Sequence, residues 1–438
     1  MSAEGRIAAL LGRSLALQSS LGVAWLQLTQ AAAARFAARS AQRTPPLQAE
    51  DARALYDLWI DCAEAAYSEV AHTASYCQLQ AELINTNAEL LLEQRRAPGE
   101  GTGWMLPRPP APWQAAGAAF AAGALRQAVW QHGRSVLYRY LPLPFIARAR
   151  AAPVLLCYSL VNRPEILDLQ PDRSLIRGLL ARGLEVYLLD WGYPDASDSQ
   201  LSLHDYINVH LHGCVQHVCA AEALPAVNLL GICQGGTFAL CYAALHPAQV
   251  ANLICMGSPV DFQTPTDLLS KWARPLDVQL LAQLGNFSGQ LLTSLFLALS
   301  PFRLIQQKYV NALERSADPA AREFFMRMEA WIFDCPDLAA TAAAQFVRWC
   351  YQENRLLQGS LRLGTDAVDL RRISQPVLNV YALRDHIVPP AASTALRSLI
   401  ASHDYTDSPL DTGHIGLYVS ERARQLPQLI SSWLASHS

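Results

Sequence analysis

The hexapeptide Gly231-Ile232-Cys233-Gln234-Gly235-Gly236 contains the side chain with the clearest potential for chemistry. A cysteine thiol reaches its anionic, nucleophilic form far more readily than a serine hydroxyl does. Gly231, Gly235 and Gly236 surround this thiol, and glycine permits a sharp, strained turn in which a larger residue would clash with a neighbouring strand or helix. The segment therefore predicts covalent catalysis with Cys233 as the nucleophile.

The sequence on both sides of this turn supports the same interpretation. Residues 226–230 form an apolar run that is typical of a buried strand, and residues 237–246 have the pattern of a helix that ends before Pro247. A strand, a glycine-flanked nucleophile and a helix together make a nucleophile elbow. The alternative is that Cys233 is a small core residue, because a Gly-x-Cys-x-Gly run alone is a weak signal.

An acid and a histidine follow in the order that such an elbow requires. Residues 375–382 predict a buried strand, and Asp385 comes just after it, at the strand end where parallel sheets place their sites. His414 follows between glycines, in a loop before a C-terminal helix. Cys233, Asp385 and His414 therefore form the predicted catalytic triad. The alternatives are a turn-forming Asp385, a surface His414, and His386 as a competing base, although its adjacency to Asp385 favours packing within the loop.

Strand and helix patterns alternate through the middle of the chain. Strands are predicted near 136–140, 154–158, 185–190 and 252–256, with a helix at 174–182. This alternation predicts an α/β fold with a mostly parallel sheet and helices on both of its faces. Together with the elbow, it indicates the α/β-hydrolase fold.

Helical patterns replace the alternation at about 262–370, between the nucleophile and the acid. This is the place where α/β-hydrolase folds carry a cap. We expect the insertion to bury an apolar substrate and to keep water away from an acyl-enzyme. The alternative is a plain helical extension with no gating role.

Residues 97–112 are rich in proline and glycine and predict a semi-stiff linker, followed by an alanine-rich helix. The linker divides a helical region at 1–96, with further apolar stripes after residue 50, from a catalytic domain at 113–438 that includes the cap. The first helical segment has an apolar stripe that comprises Leu10, Leu17, Leu21, Trp25, Leu28, Ala32 and Phe36. Two uses of this stripe remain open, docking on another helix or adsorption to a partner or an apolar surface.

The overall composition is that of a globular enzyme. The 438 residues are 51% hydrophobic and 16% charged, and the net charge of -3 gives no electrostatic reason to expect a nucleic-acid partner. The ten cysteines include no Cys-x-x-Cys pair, which favours free thiols in a reducing compartment and argues against structural zinc. No secretory signal is evident. The uncharged run between Arg13 and Arg35 is interrupted by Gln, Ser and Thr, so we expect no transmembrane span.

Long stretches of the chain resemble the polyhydroxyalkanoate synthases, and most closely the catalytic subunit of the two-subunit, class III type. The resemblance covers about 113–433. Its most specific parts are the cysteine box and the segment Asp190-Trp191-Gly192-Tyr193-Pro194, together with residues 158–164, 259–262 and 351–354 and the two triad loops. Residues 55–67 are similar to part of the companion, non-catalytic subunit. The chain thus departs from the usual two-chain arrangement by fusing the two parts.

The resemblance implies an acyltransferase that polymerises (R)-3-hydroxyacyl-CoA into polyhydroxyalkanoate through a cysteinyl thioester and releases CoA. No metal or other cofactor is expected, because the CoA thioester is the substrate. The elbow assigns one oxyanion donor to the backbone N–H of Gln234, and the resemblance points to the N–H of Val161 as the second. Asn162 and Arg163 are candidate CoA contacts, although Arg163 could equally brace its loop.

The same resemblance implies partners and a location. The partners are the substrate, the growing polyester, further copies of the chain in a homodimer or larger oligomer, and a companion synthase subunit or phasin. The expected location is the cytoplasm, at the surface of polyester granules. Two other functions stay open: a cysteine-dependent hydrolase of the dienelactone hydrolase or thioesterase type, and a non-catalytic granule scaffold.

Overall fold

The computed structural model of the chain describes residues 3–42, 51–96 and 123–437. The predicted linker at 97–112 and the alanine-rich helix after it lie outside these residues. The chain forms two compact units: one contains the N-terminal region, 268–284 and 293–325, and the other contains the remainder of the chain from residue 109 onward. The sequence analysis assigned the whole insertion to the catalytic domain, so this division differs from the expected one.

The second unit is built on a large sheet that follows the predicted alternation. Within the described residues the sheet has eight strands: β1 (Arg126–His132), β2 (Ser135–Tyr140), β3 (Val154–Cys157), β4 (Val186–Asp190), β5 (Val227–Ile232), β6 (Val250–Met256), β7 (Val377–Ala382) and β8 (Tyr405–Leu410). Their spatial order is β1-β2-β4-β3-β5-β6-β7-β8. The pairs β1–β2 and β2–β4 are antiparallel and all the other pairs are parallel. The prediction of a mostly parallel sheet is therefore confirmed.

The register of the parallel strands brings their carboxyl ends to one edge of the sheet. Cys157 of β3 lies opposite Gly231 of β5, and Ala382 of β7 lies opposite Leu410 of β8. All six residues of β5 are buried, as expected for a central strand covered on both faces. The loops that follow β3, β5, β7 and β8 therefore start from neighbouring points at this edge.

Helices and short pairs of strands complete the chain after residue 123. The helices are α4 (Leu175–Leu180), α5 (His212–Glu222), α6 (Gln234–Leu245), α7 (Leu268–Ala273), α8 (Val278–Ala282), α9 (Gly289–Leu297), α10 (Lys308–Glu314), α11 (Pro319–Phe333), α12 (Ala340–Phe346), α13 (Pro390–Thr394), α14 (Gly416–Val419) and α15 (Leu426–Ser436). π-helical turns at Asp205–Leu211 and Phe302–Gln307 precede α5 and α10, and another at Val347–Gln352 follows α12. Two small hairpins pair Asp168–Gln170 with Arg173–Ser174, and Arg362–Leu363 with Asp366–Ala367. The segment at 262–370 is thus mainly helical, as predicted.

In the described residues of the first unit, all of the regular secondary structure is helical. Its N-terminal part consists of three helices, Ala3–Ala41, Ala52–Ala71 and Ala74–Arg96. These three helices are α1, α2 and α3, respectively. Leu17, Leu28 and Ala32 of the predicted stripe are buried, and Trp25 of α1 packs on Tyr67 of α2 with 5.6 Å between ring centroids. Of the two uses left open for this stripe, docking on another helix is therefore the one that the structure supports.

Polar contacts join α2 to the part of the insertion that belongs to the same unit. The carboxylate of Glu64 accepts hydrogen bonds from the Ser300 hydroxyl at 2.6 Å and from the Phe302 N–H at 3.1 Å. The hydroxyl of Tyr67 donates to the carbonyl of Ala298. These groups are partly buried, so each bond satisfies a polar atom that would otherwise lose its hydration. The N-terminal helices and residues 293–325 consequently share one folded unit.

The outer face of α1 remains apolar and exposed. Leu15 and Leu26 are 65% and 60% exposed, and Leu11 and Val23 are exposed as well. An 18-residue window of α1 has a mean hydropathy of 1.3, so by length and composition alone this helix could cross a membrane, and only 11% of the window is buried. One face of α1 thus supports the fold of this unit, while the other is available to an apolar surface or partner.

Candidate active site

The turn between β5 and α6 has the geometry of a nucleophile elbow. Cys233 has φ 53° and ψ -125°, a strained combination for a residue with a side chain. Its N–H donates to the carbonyl of Met256 at 2.9 Å, which fixes the turn to β6. Ile232 before it is buried, whereas Cys233 is only partly buried. The fold therefore holds the thiol at the carboxyl edge of the sheet and keeps it accessible.

At each of the three elbow glycines, neighbouring atoms leave no room for a side chain. A Cβ at Gly231 would lie 2.4 Å from the Cα of Gly236, and one at Gly236 would lie 1.7 Å from the hydroxyl oxygen of Ser258. A Cβ at Gly235 would lie 2.2 Å from the carbonyl oxygen of Cys157 in β3. The sharp turn therefore tolerates only glycine at these positions.

The predicted acid and histidine meet beside the elbow. Nδ1 of His414 lies 2.7 Å from Oδ2 of Asp385, and both residues are buried. The other carboxylate oxygen of Asp385 accepts the N–H groups of Ile387 and Val388 at 2.9 and 2.8 Å. These bonds fix the carboxylate, and the carboxylate in turn fixes the imidazole so that Nε2 is left for the thiol.

The surroundings of His414 favour its charged form. Burial of the imidazole opposes the charge, but the carboxylate of Asp385, followed by the charge of Cys233 and its hydrogen bond to His414, raises the pKa of His414 well above 6.5. The site therefore stabilises an imidazolium, which is the state that forms when the histidine accepts a proton from a thiol. Gly257 makes room for this ring, because a Cβ there would lie 3.3 Å from Cε1 of His414.

His386 does not take the place of His414. Its side chain is exposed, whereas His414 is buried and holds the contact to Asp385. The structure thus brings Cys233, Asp385 and His414 together and leaves the competing histidine at the surface.

The two expected oxyanion donors, the N–H groups of Gln234 and Val161, are in different situations. The N–H of Gln234 is the first of helix α6 and has no partner within the helix, so it can face a developing negative charge. The N–H of Val161 is not free, because it donates to Oγ of Ser159 at 2.9 Å. In this conformation the short side chain of Ser159 closes a local turn with that N–H, so the role of Val161 as second oxyanion donor stays a prediction.

The two candidate CoA contacts are engaged in bracing the loop after β3. The guanidinium of Arg163 is buried and makes two bonds to the carboxylate of Asp190, at 2.7 and 2.6 Å, while the ring of Tyr193 lies 4.4 Å away. The side-chain amide of Asn162 donates to the carbonyl of Trp331 at 3.2 Å. The bracing alternative stated for Arg163 therefore agrees with these contacts, and Asn162 also holds the loop, while the CoA contacts of both residues stay a prediction.

A third contact holds the same loop in place. The indole N–H of Trp331 donates to the carbonyl of Arg163 at 2.7 Å. Trp331 lies in α11, far from the loop in sequence, and it was not among the predicted site residues. A tryptophan within an amphipathic helix is typical of a core residue. The sequence therefore gave no signal that Trp331 holds the loop after β3.

Three tyrosines that the sequence analysis did not assign to the site lie within the electrostatic influence of the thiol. They are Tyr158, Tyr351 and Tyr418. Burial raises the pKa of all three well above 10, and the charge of Cys233 adds to the effect at each of them. Their hydroxyls therefore stay protonated and are able to act as hydrogen-bond donors. The sequence held signals for these residues: Tyr158 and Tyr351 lie in stretches that carry the family resemblance, and Tyr418 lies four residues after His414.

A metal centre would be a further kind of ligand site. Within residues 3–42, 51–96 and 123–437, no group of three or more His, Cys, Asp or Glu side chains is arranged to hold a metal ion. The described cysteines, Cys233 included, are all free thiols.

Comparison with known protein families gives two matches along the chain. Residues 152–421 match the model of the alpha/beta hydrolase fold, which covers strands β3 to β8 of the sheet and the site described above. Residues 15–102 match the model described as Poly(R)-hydroxyalkanoic acid synthase subunit, which covers most of α1 and all of α2 and α3. The predicted fusion of a companion-like segment to an α/β-hydrolase domain is therefore confirmed.

Three curated proteins named Poly(3-hydroxyalkanoate) polymerase subunit PhaC are similar to most of the chain. The protein from Allochromatium vinosum is 49% identical over 311 residues, which cover 70% of this chain and 88% of that protein. The one from Thiocystis violacea is 47% identical and covers 72% and 88%, respectively. The one from Synechocystis sp. is 43% identical and covers 71% and 84%. On the basis of these relatives and of its α/β-hydrolase site, the chain belongs to the poly(3-hydroxyalkanoate) polymerase PhaC family.

Proposed function

We propose that the chain polymerises (R)-3-hydroxyacyl-CoA into polyhydroxyalkanoate and releases CoA, with Cys233 as the covalent acyl carrier. The observation that carries the proposal is the partly buried Cys233 thiol at the elbow, whose charge acts on the buried imidazole of His414, which Asp385 holds at 2.7 Å. The names of the three relatives support 3-hydroxyacyl units as the class of substrate.

In the first step, the sulfur of Cys233 attacks the thioester carbonyl of the substrate. His414 accepts the thiol proton, and the raised pKa of its imidazole suits this role. The N–H of Gln234 stabilises the oxyanion of the tetrahedral intermediate. The bond from the carbonyl carbon to the sulfur of CoA then breaks, CoA takes the proton from His414, and the acyl group stays on Cys233. One thioester replaces another, so the acyl group remains activated.

In the second step, the hydroxyl of another 3-hydroxyacyl unit attacks the thioester on Cys233. His414 accepts the hydroxyl proton, an oxygen ester forms, and Cys233 leaves as a thiolate that is then reprotonated. Asp385 orients the imidazole throughout, because one of its oxygens is fixed by two backbone N–H groups and the other contacts Nδ1. Repetition of the two steps lengthens the polyester.

The N-terminal helices act, in this proposal, as a built-in companion segment. Residues 15–102 match the synthase subunit model, and Glu64 and Tyr67 bind groups at 298–302 of the insertion within the same folded unit. A contact that a second subunit would supply from outside is then present within the chain. The exposed apolar face of α1, which includes Leu15 and Leu26, offers a surface for attachment to a polyester granule.

One assay separates this proposal from its two rivals. The purified chain is mixed with 3-hydroxybutyryl-CoA, and CoA release and turbidity are followed together. CoA release with insoluble polymer supports the polymerase, CoA release with only soluble acid indicates a hydrolase, and no CoA release indicates a scaffold. The same assay with and without an added companion subunit tests whether the N-terminal helices suffice.

A further inference from the structure

The hydroxyl of Tyr418 is a buried polar group that the two-step mechanism does not use. Tyr418 lies in α14, and its ring packs edge-on against the imidazole of His414, with 5.9 Å between ring centroids and 84° between ring planes. The residue is 4% exposed. Its hydroxyl oxygen is buried and has no hydrogen-bond partner among residues 3–42, 51–96 and 123–437.

A buried hydroxyl without a partner is unfavourable, and native proteins rarely retain one without a functional reason. The neighbours of this hydroxyl indicate the reason. Burial is the main cause that raises the pKa of Tyr418 well above 10, and the charges of Cys233, Tyr158 and Asp385 raise it further. The hydroxyl thus keeps its proton and can donate it in a hydrogen bond, and it belongs to a ring that packs against His414.

The carbonyl oxygen of the substrate is not the natural partner. That oxygen has to face the N–H of Gln234 at the start of α6. The hydroxyl that attacks the acyl-enzyme has to face the imidazole of His414 instead, because His414 removes its proton. The ring of Tyr418 lies against this same imidazole.

We propose that the Tyr418 hydroxyl donates a hydrogen bond to the oxygen of the attacking 3-hydroxyl group and thereby positions it between His414 and the acyl-enzyme. This inference rests on the proposed polymerase function and assigns to it a further residue that contacts the substrate. Tyr418 then acts in elongation and has no part in the acylation of Cys233.

The test uses Tyr418→Phe, which keeps the ring against His414 and removes only the hydroxyl. Acylation is measured as the burst of CoA from butyryl-CoA, which lacks a hydroxyl and cannot elongate. Elongation is measured as polymer formation and continued CoA release with 3-hydroxybutyryl-CoA. We expect the burst to stay within about twofold of the wild-type rate and elongation to fall roughly 3- to 10-fold, the range of one net hydrogen bond. The thermal unfolding midpoint of the unliganded protein should not fall, because no bond is lost from it.

Tyr56→Phe is the matched control, because the hydroxyl of Tyr56 in α2 is also buried and finds no hydrogen-bond partner in the part of the chain that the structure describes. It should leave both steps unchanged. Unchanged elongation in Tyr418→Phe would overturn the inference, and equal losses in both steps would overturn it as well, since they would show that Tyr418 serves only the placement of His414. Absence of both the burst and polymer in the wild-type enzyme would instead refute the polymerase function itself.

Discussion

The side-chain oxygen of Gln234 accepts the backbone N–H of Leu160 at 3.0 Å. This bond joins the residue after the nucleophile to the loop after β3. The same oxygen also receives the Ser159 hydroxyl at 3.4 Å. Gln234 thus has two functions in this account: its N–H faces the oxyanion, and its side chain fixes the loop that lines the opposite side of the site.

The first prediction concerns this connection. Gln234→Leu removes the acceptor and leaves the N–H of Leu160 buried without a partner, which should cost about 1–3 kcal/mol of unfolding free energy. The turnover number should fall about tenfold or more, because the loop can shift away from the oxyanion. Urea unfolding and CoA-release kinetics measure the two effects. Gln234→Glu keeps an acceptor in place and should retain most of the stability, so an equal loss in both variants would contradict the proposed role of the bond.

The second prediction follows from the pKa of His414, which is raised above 6.5 by Asp385 and Cys233 against the effect of burial. A folded-state pKa above the unfolded value gives stabilisation that is fully present below about pH 6.5 and is lost as the pH rises through the folded pKa. In Asp385→Asn the effect of burial prevails, so this variant should lose stability as the pH falls. Breaking a buried pair of this kind costs about 3–5 kcal/mol.

Urea unfolding of both proteins at a series of pH values from about 8 to 5.5 checks this prediction. The difference between wild type and Asp385→Asn should widen toward the acidic end. His386→Asn, which changes the exposed histidine beside Asp385, should follow the wild-type pH dependence. A constant difference across the range would show that the charge of His414 does not depend on Asp385.

The third prediction addresses the loop that carries Arg163. Arg163→Ala leaves the carboxylate of Asp190 buried without its partner, so unfolding free energy should fall by about 3–5 kcal/mol. Arg134→Ala is the control, because the pair between Arg134 and Asp195 is exposed and should contribute little. If Arg163 contacts CoA instead of bracing the loop, Arg163→Ala will raise KM without loss of stability, and that result would restore the original expectation.

Several features of the site could be predicted because they depend on sequence order. Strands of a parallel sheet deliver the residues after them to one edge, so a cysteine after β5, an aspartate after β7 and a histidine after β8 had to meet. The sequence analysis placed Cys233, Asp385 and His414 on this basis, and the structure brings them together.

Other features could not be predicted, because they depend on contacts between distant segments or on single side-chain rotations. The N–H of Val161 is occupied because Oγ of Ser159 turns toward it, and no periodic pattern encodes that rotation. Arg163 is committed to Asp190, which belongs to a different strand. The grouping of 293–325 with the N-terminal helices depends on surface complementarity, which hydrophobic periodicity does not reveal.

The fourth prediction concerns the contact of the N-terminal helices with the insertion. Glu64→Ala removes the acceptor of the Ser300 hydroxyl and of the Phe302 N–H, so unfolding free energy should fall by about 1–3 kcal/mol. Specific activity should fall as well, and the lag phase should lengthen, if the helices act as a built-in companion. Glu69→Ala is the control, because Glu69 is an exposed residue of α2 whose partner is Arg35. Loss of stability with full activity would contradict the companion role.

The most direct test of the central claim is intact-protein mass spectrometry of the chain after brief mixing with 3-hydroxybutyryl-CoA, with released CoA measured in parallel. The account predicts an acyl adduct on Cys233 in the wild-type protein, no adduct and no CoA release in Cys233→Ala, at most traces in Cys233→Ser, and wild-type behaviour in Cys219→Ala, which changes a cysteine of α5 outside the site. CoA release at a near-normal rate in Cys233→Ala, or an adduct on another cysteine, would contradict it.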